Sequence, residues 1–401
     1  MRPIKLGVIF DQQISSGGGY QQSLNSALVV SKLPKDLVEV VYFTTIRENI
    51  VKLSQYNIKA KLIYLSFFTK VKIYLRQKII DNTIFKIVKK IQKYTYFEKI
   101  LVKNKIDLVY FLSPTSLPKA LENLNFITTV WDLSHRDDLE FPEVRQNKVS
   151  DQRDNKFNTI LPRAVAILVD SDLSKNNLSN RYGIDLQRIH VLPFESAQST
   201  KGNYKNFNVS KKYKISNPYV FYPAQFWSHK NHIYLLNGLS ELKKNYNLDV
   251  SVIFSGADKG NKDYVEKYTK KLNLEKKVFF VGFVDDEEMA SLYSQSIALV
   301  MPTYFGPTNL PPLEAFSLGV PVLYPDINGL KDQVGDAALL MDLNSPKSMA
   351  THLKNILEDK KLRETLKEAG YERLKYFEKI DRKEILSKII KEFRSRRFCW
   401  E

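Results

Sequence analysis

The chain has 401 residues, which at about 150 residues per domain implies two or three domains. Hydrophobic residues make up 43%, with 22 Tyr and 23 Phe, enough apolar material for sizeable cores, so a disordered chain is excluded. Lys and Arg number 61 against 44 Asp and Glu, a net +17 that favours anionic partners, and the lone Cys399 excludes a disulfide framework and a cysteine metal cluster.

In chain order, residues 5–10 (KLGVIF) read as a strand, residues 15–19 (SSGGG) as a glycine loop and residues 20–33 as a helix with apolar positions Leu24, Ala27, Leu28 and Leu33. The apolar run 6–10 meets Asp11 at once and does not read as a signal peptide. Further strands are expected at 38–44, 60–68, 107–112, 126–130 and 164–169. A second series begins near Tyr219: strands at 219–222, 250–255, 278–281, 298–301 and 320–324, helices at 233–243, 262–272, 286–294 and 311–318, and mostly helix from Pro346. Strands apolar on both faces and alternating with helices predict doubly wound parallel α/β domains. The stretch 296–325 is broken by Pro302, Pro307, Pro311, Pro312 and Pro321 and does not read as a membrane span. The domain reading is 1–195, a polar linker 196–218, a second domain 219–380 and a basic C-terminal helix 381–401 that can return to the first domain. Ligands of open α/β sheets sit at the carboxyl ends of the strands, so the site is expected in a cleft between two Rossmann-like domains.

The most informative stretch is residues 301–326, MPTYFGPTNLPPLEAFSLGVPVLYPD. A strand ends at Met301, a turn-rich loop follows, and a helix starts near Asn309. Asn309 or Thr308 suits the N-cap, and Pro311 and Pro312 suit a first turn. The amides of Asn309 and Leu310 are then expected to stay free at the positive end of the helix dipole, a ready anion site. Glu314, about one turn in, suits acceptance from a ligand diol; the plain alternative is a surface glutamate on a strand–loop–helix. A second constellation is residues 222–232, YPAQFWSHKNH, where Lys230 at a strand–helix junction can neutralise a leaving anion as a point charge. Gly18 and Gly19 in the first loop allow close backbone approach to a ligand or simply make a tight turn.

The stretch 313–322 (LEAFSLGVPV) resembles the nucleotide-sugar signature of family 4 retaining glycosyltransferases, which have the GT-B fold. The resemblance implies that Glu314 binds the ribose hydroxyls of a nucleotide diphosphate sugar. It implies that Pro307, Thr308, Asn309 and Leu310 touch the diphosphate and donor sugar through backbone amides. The family's first acidic position falls on Gly306, so backbone groups of residues 306–309 take its part. Of the family's basic pair, Lys230 matches the Lys and Gln225 stands at the Arg. The glycine loop at Gly18 and Gly19 is implied to close over donor phosphates or acceptor. Residues 131–136 (WDLSHR) resemble the family segment His-Asp-Leu-x-His, with Trp131 in place of the leading His; Asp132 and His135 are implied to orient or deprotonate an acceptor hydroxyl.

The resemblance implies a cytoplasmic hexosyltransferase of bacterial surface polysaccharide synthesis that needs no metal or other cofactor. Its partners are a nucleotide diphosphate sugar donor and a glycan or lipid-linked acceptor. One alternative is a metal-dependent GT-A enzyme using Asp170 and Asp172 around Ser171, a triplet also readable as a helix cap. Residues 70–105 carry eleven Lys and Arg against Asp81 and Glu98, with isoleucines at helical spacing. That segment is either a solvated basic face or a peripheral attachment to an anionic membrane surface. A non-enzymatic basic protein that binds nucleic acid or a membrane surface is the alternative of another class; a nucleic-acid binder lacks a recognisable binding motif and leaves the Glu314 helix unexplained, so no nucleic acid is expected as a partner.

Overall fold

The computed structural model describes residues 2–13, 18–69, 71, 94–196, 207–306 and 308–400. Most of the expected basic helix (70 and 72–93), much of the expected linker (197–206), part of the glycine loop (14–17) and Pro307 lie outside the described residues. The chain forms two units: Met1–Leu133 with Asp151–Pro193 and Asp381–Glu401, and Ser134–Ser150 with Phe194–Ile380. Residues Ser134–Ser150, which the sequence reading leaves in the N-terminal domain, therefore group with the second unit.

The first unit holds a seven-stranded parallel sheet, order β3-β2-β1-β4-β5-β6-β7. Its strands are β1 Ile4–Phe10, β2 Val38–Thr44, β3 Ala60–Leu62, β4 Leu108–Phe111, β5 Asn125–Thr129, β6 Ala166–Val169 and β7 Ile189–Val191. Alternation along β1 sends Ile4, Leu6, Val8 and Phe10 to one core and Ile9 to the other, so both faces are covered. Chain order reverses between β1 and β4, which makes that pair the topological switch point. The Arg382–Arg397 helix lays Leu386, Ile389, Ile390 and Phe393 into the core shared with the Gly18–Ser31 helix. The expected third strand, 60–68, is cut to Ala60–Leu62. Pairing runs out with its partner, since Leu62 meets Thr44 at the end of β2, and Tyr64, Phe67 and Phe68 lie exposed.

The second unit holds a six-stranded parallel sheet, order β10-β9-β8-β11-β12-β13. The strands are β8 Tyr219–Pro223, β9 Ser251–Ser255, β10 Val278–Gly282, β11 Ala298–Val300, β12 Val322–Pro325 and β13 Ala338–Met341. The switch point falls between β8 and β11. Lys230 follows β8 and Asn309 follows β11, so the two strongest sequence candidates leave the sheet at its switch point.

Candidate functional site

The Leu310–Ser317 helix starts with Asn309 at its N-cap, φ −114° and ψ 144°, and proline in its first turn. The Asn309 side chain does not cap the helix. Its Nδ2 donates to the Gly306 carbonyl at 2.9 Å and to the Tyr324 hydroxyl at 2.6 Å, and its Oδ1 accepts from Lys230 Nζ at 3.2 Å. The expectation of a free Asn309 amide is corrected: Asn309 N–H donates to Gln333 Oε1 at 2.9 Å, and Gln333 Nε2 donates back to the Asn309 carbonyl at 2.6 Å. The reason is burial. Asn309 is only 9% exposed, and a buried amide needs a partner. Tyr324 hydroxyl, fully buried, donates to the same Gln333 Oε1 at 3.2 Å.

Gly306 has φ +106°, a conformation that favours glycine, and a Cβ there would come within 3.0 Å of the Asn309 side chain. Asn309 thus occupies the space that an acidic side chain at this position would need. Glu314 is half-buried on the same helix, and its Oε2 accepts from Tyr293 hydroxyl at 2.8 Å. Burial, with the Glu314 charge added, pushes the Tyr293 hydroxyl well above its ordinary value, so it stays a donor. At 1.5 Å per residue, Glu314 lies about 7–8 Å along the helix from Asn309. Thr308 is half-buried and Leu310 buried.

Lys230 ends a short turn, Ser228–Lys230, and its carbonyl accepts from the buried Tyr222 hydroxyl at 2.8 Å. Asn231 then takes φ +52° and caps the His232–Tyr246 helix by accepting from Tyr234 N–H. On one side the loop is stitched to the end of β9: Phe226 N–H donates to the Ala257 carbonyl at 3.0 Å, and Gly256 packs so closely that a Cβ would lie 2.3 Å from the Ala224 carbonyl oxygen. On the other side, His229 Nδ1 and Glu143 Oε1 lie 2.6 Å apart, the His229 amide donates to the same oxygen at 2.9 Å, and the imidazole stacks on Phe305 at 3.7 Å. Burial would raise the Glu143 carboxyl, but these bonds from His229 hold it below its ordinary value. Gln225 is half-buried, its Oε1 accepting from Trp227 Nε1 at 3.0 Å.

The remaining candidates are placed as follows. In the first unit, Gly19 faces Trp131: a Cβ would meet the indole at 2.9 Å, and Gly18 opens the same helix. Asp132 Oδ1 pairs with Arg153 Nη2 at 2.6 Å. His135 belongs to the second unit, buried in the Ser134–Asp137 helix. Ser171 caps the Asp172–Tyr182 helix by accepting from Ser174 N–H at 3.2 Å, with Asp170 and Asp172 on either side. Among the described residues, no group of three or more His, Cys, Asp or Glu is placed to hold a metal ion, and no helix is long and apolar enough to cross a membrane. Sequence reading missed Gln333, Tyr324, Tyr293 and Glu143, each of which matters only through a contact across the fold.

Residues 205–373 match the family model described as glycosyl transferases group 1. O-antigen chain mannosyltransferase B of Escherichia coli is 26% identical over 274 residues, 68% of this chain and 71% of the relative. O-antigen chain mannosyltransferase RfbU of Salmonella typhimurium is 27% identical over 197 residues, 48% of this chain and 51% of the relative. Among solved structures, Anabaena Alr3699/HepE in complex with UDP-glucose superposes with a TM-score of 0.66 at 16% identity, covering 98% of this chain and 100% of that one.

One consequence concerns pH. His232, fully buried against Phe226, Tyr222 and Phe254, has its pKa lowered from 6.5 to about 3 by burial and then by the Lys230 charge. The unfolded chain binds a proton there below about 6.5 while the folded chain does not until about 3. Stability from this group is therefore full above about 6.5 and lost as pH falls toward 3, by at most about 1.4 kcal/mol per pH unit. Denaturant midpoints at pH 7 and pH 5 check this: His232→Phe should lose less stability across that interval than the wild type, and equal losses contradict it.

Proposed function

We propose that the chain is a group 1 glycosyltransferase of the GT-B fold that moves a hexose, with retained anomeric configuration, from a nucleotide diphosphate sugar to a hydroxyl of a glycan or lipid-linked acceptor in bacterial surface polysaccharide synthesis. The observation that carries this reading is the Lys230–Asn309 hydrogen bond at the β8/β11 switch point, at the start of the helix that bears Glu314. An ammonium fixed there meets the charge that builds on a departing diphosphate. Glu314, held by Tyr293, takes the ribose hydroxyls; a carboxylate has about four acceptor sites and so serves both. Backbone amides of Gly306, Thr308 and Leu310, together with the Gln225 side chain, contact the diphosphate and sugar.

The first unit takes the acceptor, with Gly18, Gly19 and Asp132 at the carboxyl edge of its sheet; His135 falls in the second unit. The acceptor hydroxyl attacks from the leaving-group face, its oxygen bonding the anomeric carbon as the bond to the diphosphate oxygen breaks. That oxygen takes the hydroxyl proton. No metal takes part in this reading. Asp170 and Asp172 flank the Ser171 cap, which favours the capped-helix reading over the metal-dependent GT-A alternative. The basic segment 70–105 holds the enzyme on an anionic cytoplasmic membrane surface. The names of the two O-antigen relatives support the polysaccharide setting.

A screen of nucleoside diphosphates by thermal stabilisation identifies the base, and two variants then test the roles. Glu314→Gln should weaken nucleoside diphosphate binding about tenfold or more in calorimetry, since hydrogen bonds to a charged group contribute about 1.5–3 kcal/mol. Unchanged affinity removes Glu314 from the ribose. Lys230→Ala should lower kcat by about 10²–10³ with a smaller change in KM, because the charge it meets develops in the transition state. An effect confined to KM reassigns Lys230 to ground-state binding.

A further inference from the structure

The carboxyl edge of the first sheet carries titratable side chains that the nucleotide site does not use. Asp11 follows β1, and its Oδ1 accepts from Ser113 Oγ, just past β4, at 2.6 Å. This is the topological switch point of that sheet, where open α/β sheets take their ligands. Asp132 follows β5 and is held by Arg153, whose Nη2 donates to both its Oδ1, at 2.6 Å, and its carbonyl, at 3.1 Å. Lys156 lies three residues beyond Arg153 on the Val149–Ile160 helix, hence on the same face.

Lys156 is half-buried, yet no hydrogen bond or ion pair engages its ammonium among the described residues. Burial and then repulsion from Arg153 lower it from 10.5 to about 8; Asp132 and Asp11 pull it up, and Lys119 pushes it down. Among the described residues, the charges named as acting on it are two cations, Arg153 and Lys119, and two carboxylates, Asp132 and Asp11. Asp11 is itself raised by burial, against its hydrogen bonds with Ser113 and Thr115. The ammonium lies 4.8 Å over the Phe157 ring. A half-buried ammonium whose one direct contact is a ring face, with neither hydrogen bond nor ion pair, is costly, and an anionic oxygen relieves that cost.

We infer that Lys156 is a specificity-determining residue that receives an anionic group, a carboxylate or a phosphate, carried by the glycosyl acceptor. The inference rests on the reading of the first unit as the acceptor domain and names the chemistry of that acceptor. Such an acceptor is an acidic sugar or a phosphorylated carrier, and the two share the same contact with the Lys156 ammonium.

The test is calorimetric titration of the full chain with glucuronate and, separately, with inorganic phosphate, in excess nucleoside diphosphate so that the Lys230 site is occupied. At pH 7 at least one anion should bind, and Lys156→Met, which keeps the apolar stem, should weaken it at least tenfold; Lys156→Gln guards against a packing artefact. Glucuronate does not titrate between pH 7 and pH 9, so a loss of its binding across that interval in wild type, retained in Lys156→Arg, reports the ammonium itself. Glucuronate alone binding assigns an acidic sugar, phosphate alone a phosphorylated acceptor, and both support the inference. Binding of neither, or affinities unchanged in Lys156→Met, overturns it. Nucleoside diphosphate binding is read in the same series without added anion, so a failure of the glycosyltransferase reading appears on its own.

Discussion

Every polar atom of Asn309 is engaged, and the candidate site of the second unit follows from that. Its amide and carbonyl are exchanged with Gln333, its side-chain nitrogen is shared by Gly306 and Tyr324, and its side-chain oxygen holds Lys230. A buried polar group left unpaired costs about 1–3 kcal/mol, so the loop has one arrangement in which all of these are met. That arrangement imposes φ +106° on Gly306, starts the helix at Leu310, and thereby fixes where Glu314 stands. It also brings a cation to a helix start without leaving that cation unpaired in the absence of ligand.

The scaffold beneath applies the same logic from both sides of the Lys230 loop. Gly256 lets the ends of β8 and β9 approach to a distance no Cβ allows. The buried ring of His232 stacks on Phe226 at 4.5 Å, and the Glu143–His229–Phe305 group closes the other flank. Lys230 is thus carried by a segment whose neighbours are aromatic rings, one tight glycine and a short ionic contact. Preorganisation of this kind is what electrostatic stabilisation of a leaving group requires, since it leaves little to rearrange at the moment of reaction.

Much of this was legible in the sequence, and the omissions have physical reasons. Apolar runs between helical segments give the two parallel sheets. The edge strands β7 and β13 escape because Ile189–Val191 is interrupted by His190 and the short apolar run at Ala338–Met341 reads equally as a buried helix segment. The expected strand 60–68 overran because Phe67 and Phe68 are apolar but exposed. Lys230, Asn309 and Glu314 stand out as residue types at a strand end and a helix start. The engagement of the Asn309 amide was not legible, because Gln333 lies 24 residues away and nothing local marks it as a partner. Tyr293, 21 residues before Glu314, is hidden for the same reason.

The central claim is that the Gln333 lock on Asn309 holds the Lys230–Asn309 pair ready for a diphosphate. It is tested most directly by titrating a nucleoside diphosphate into Gln333→Ala, a residue this account places outside ligand contact, with near-ultraviolet circular dichroism to confirm folding. The Gln333→Ala protein should fold, with nucleoside diphosphate affinity down about tenfold, about 1.4 kcal/mol, although Lys230 and Glu314 are both present. A folded Gln333→Ala variant with wild-type affinity would contradict it.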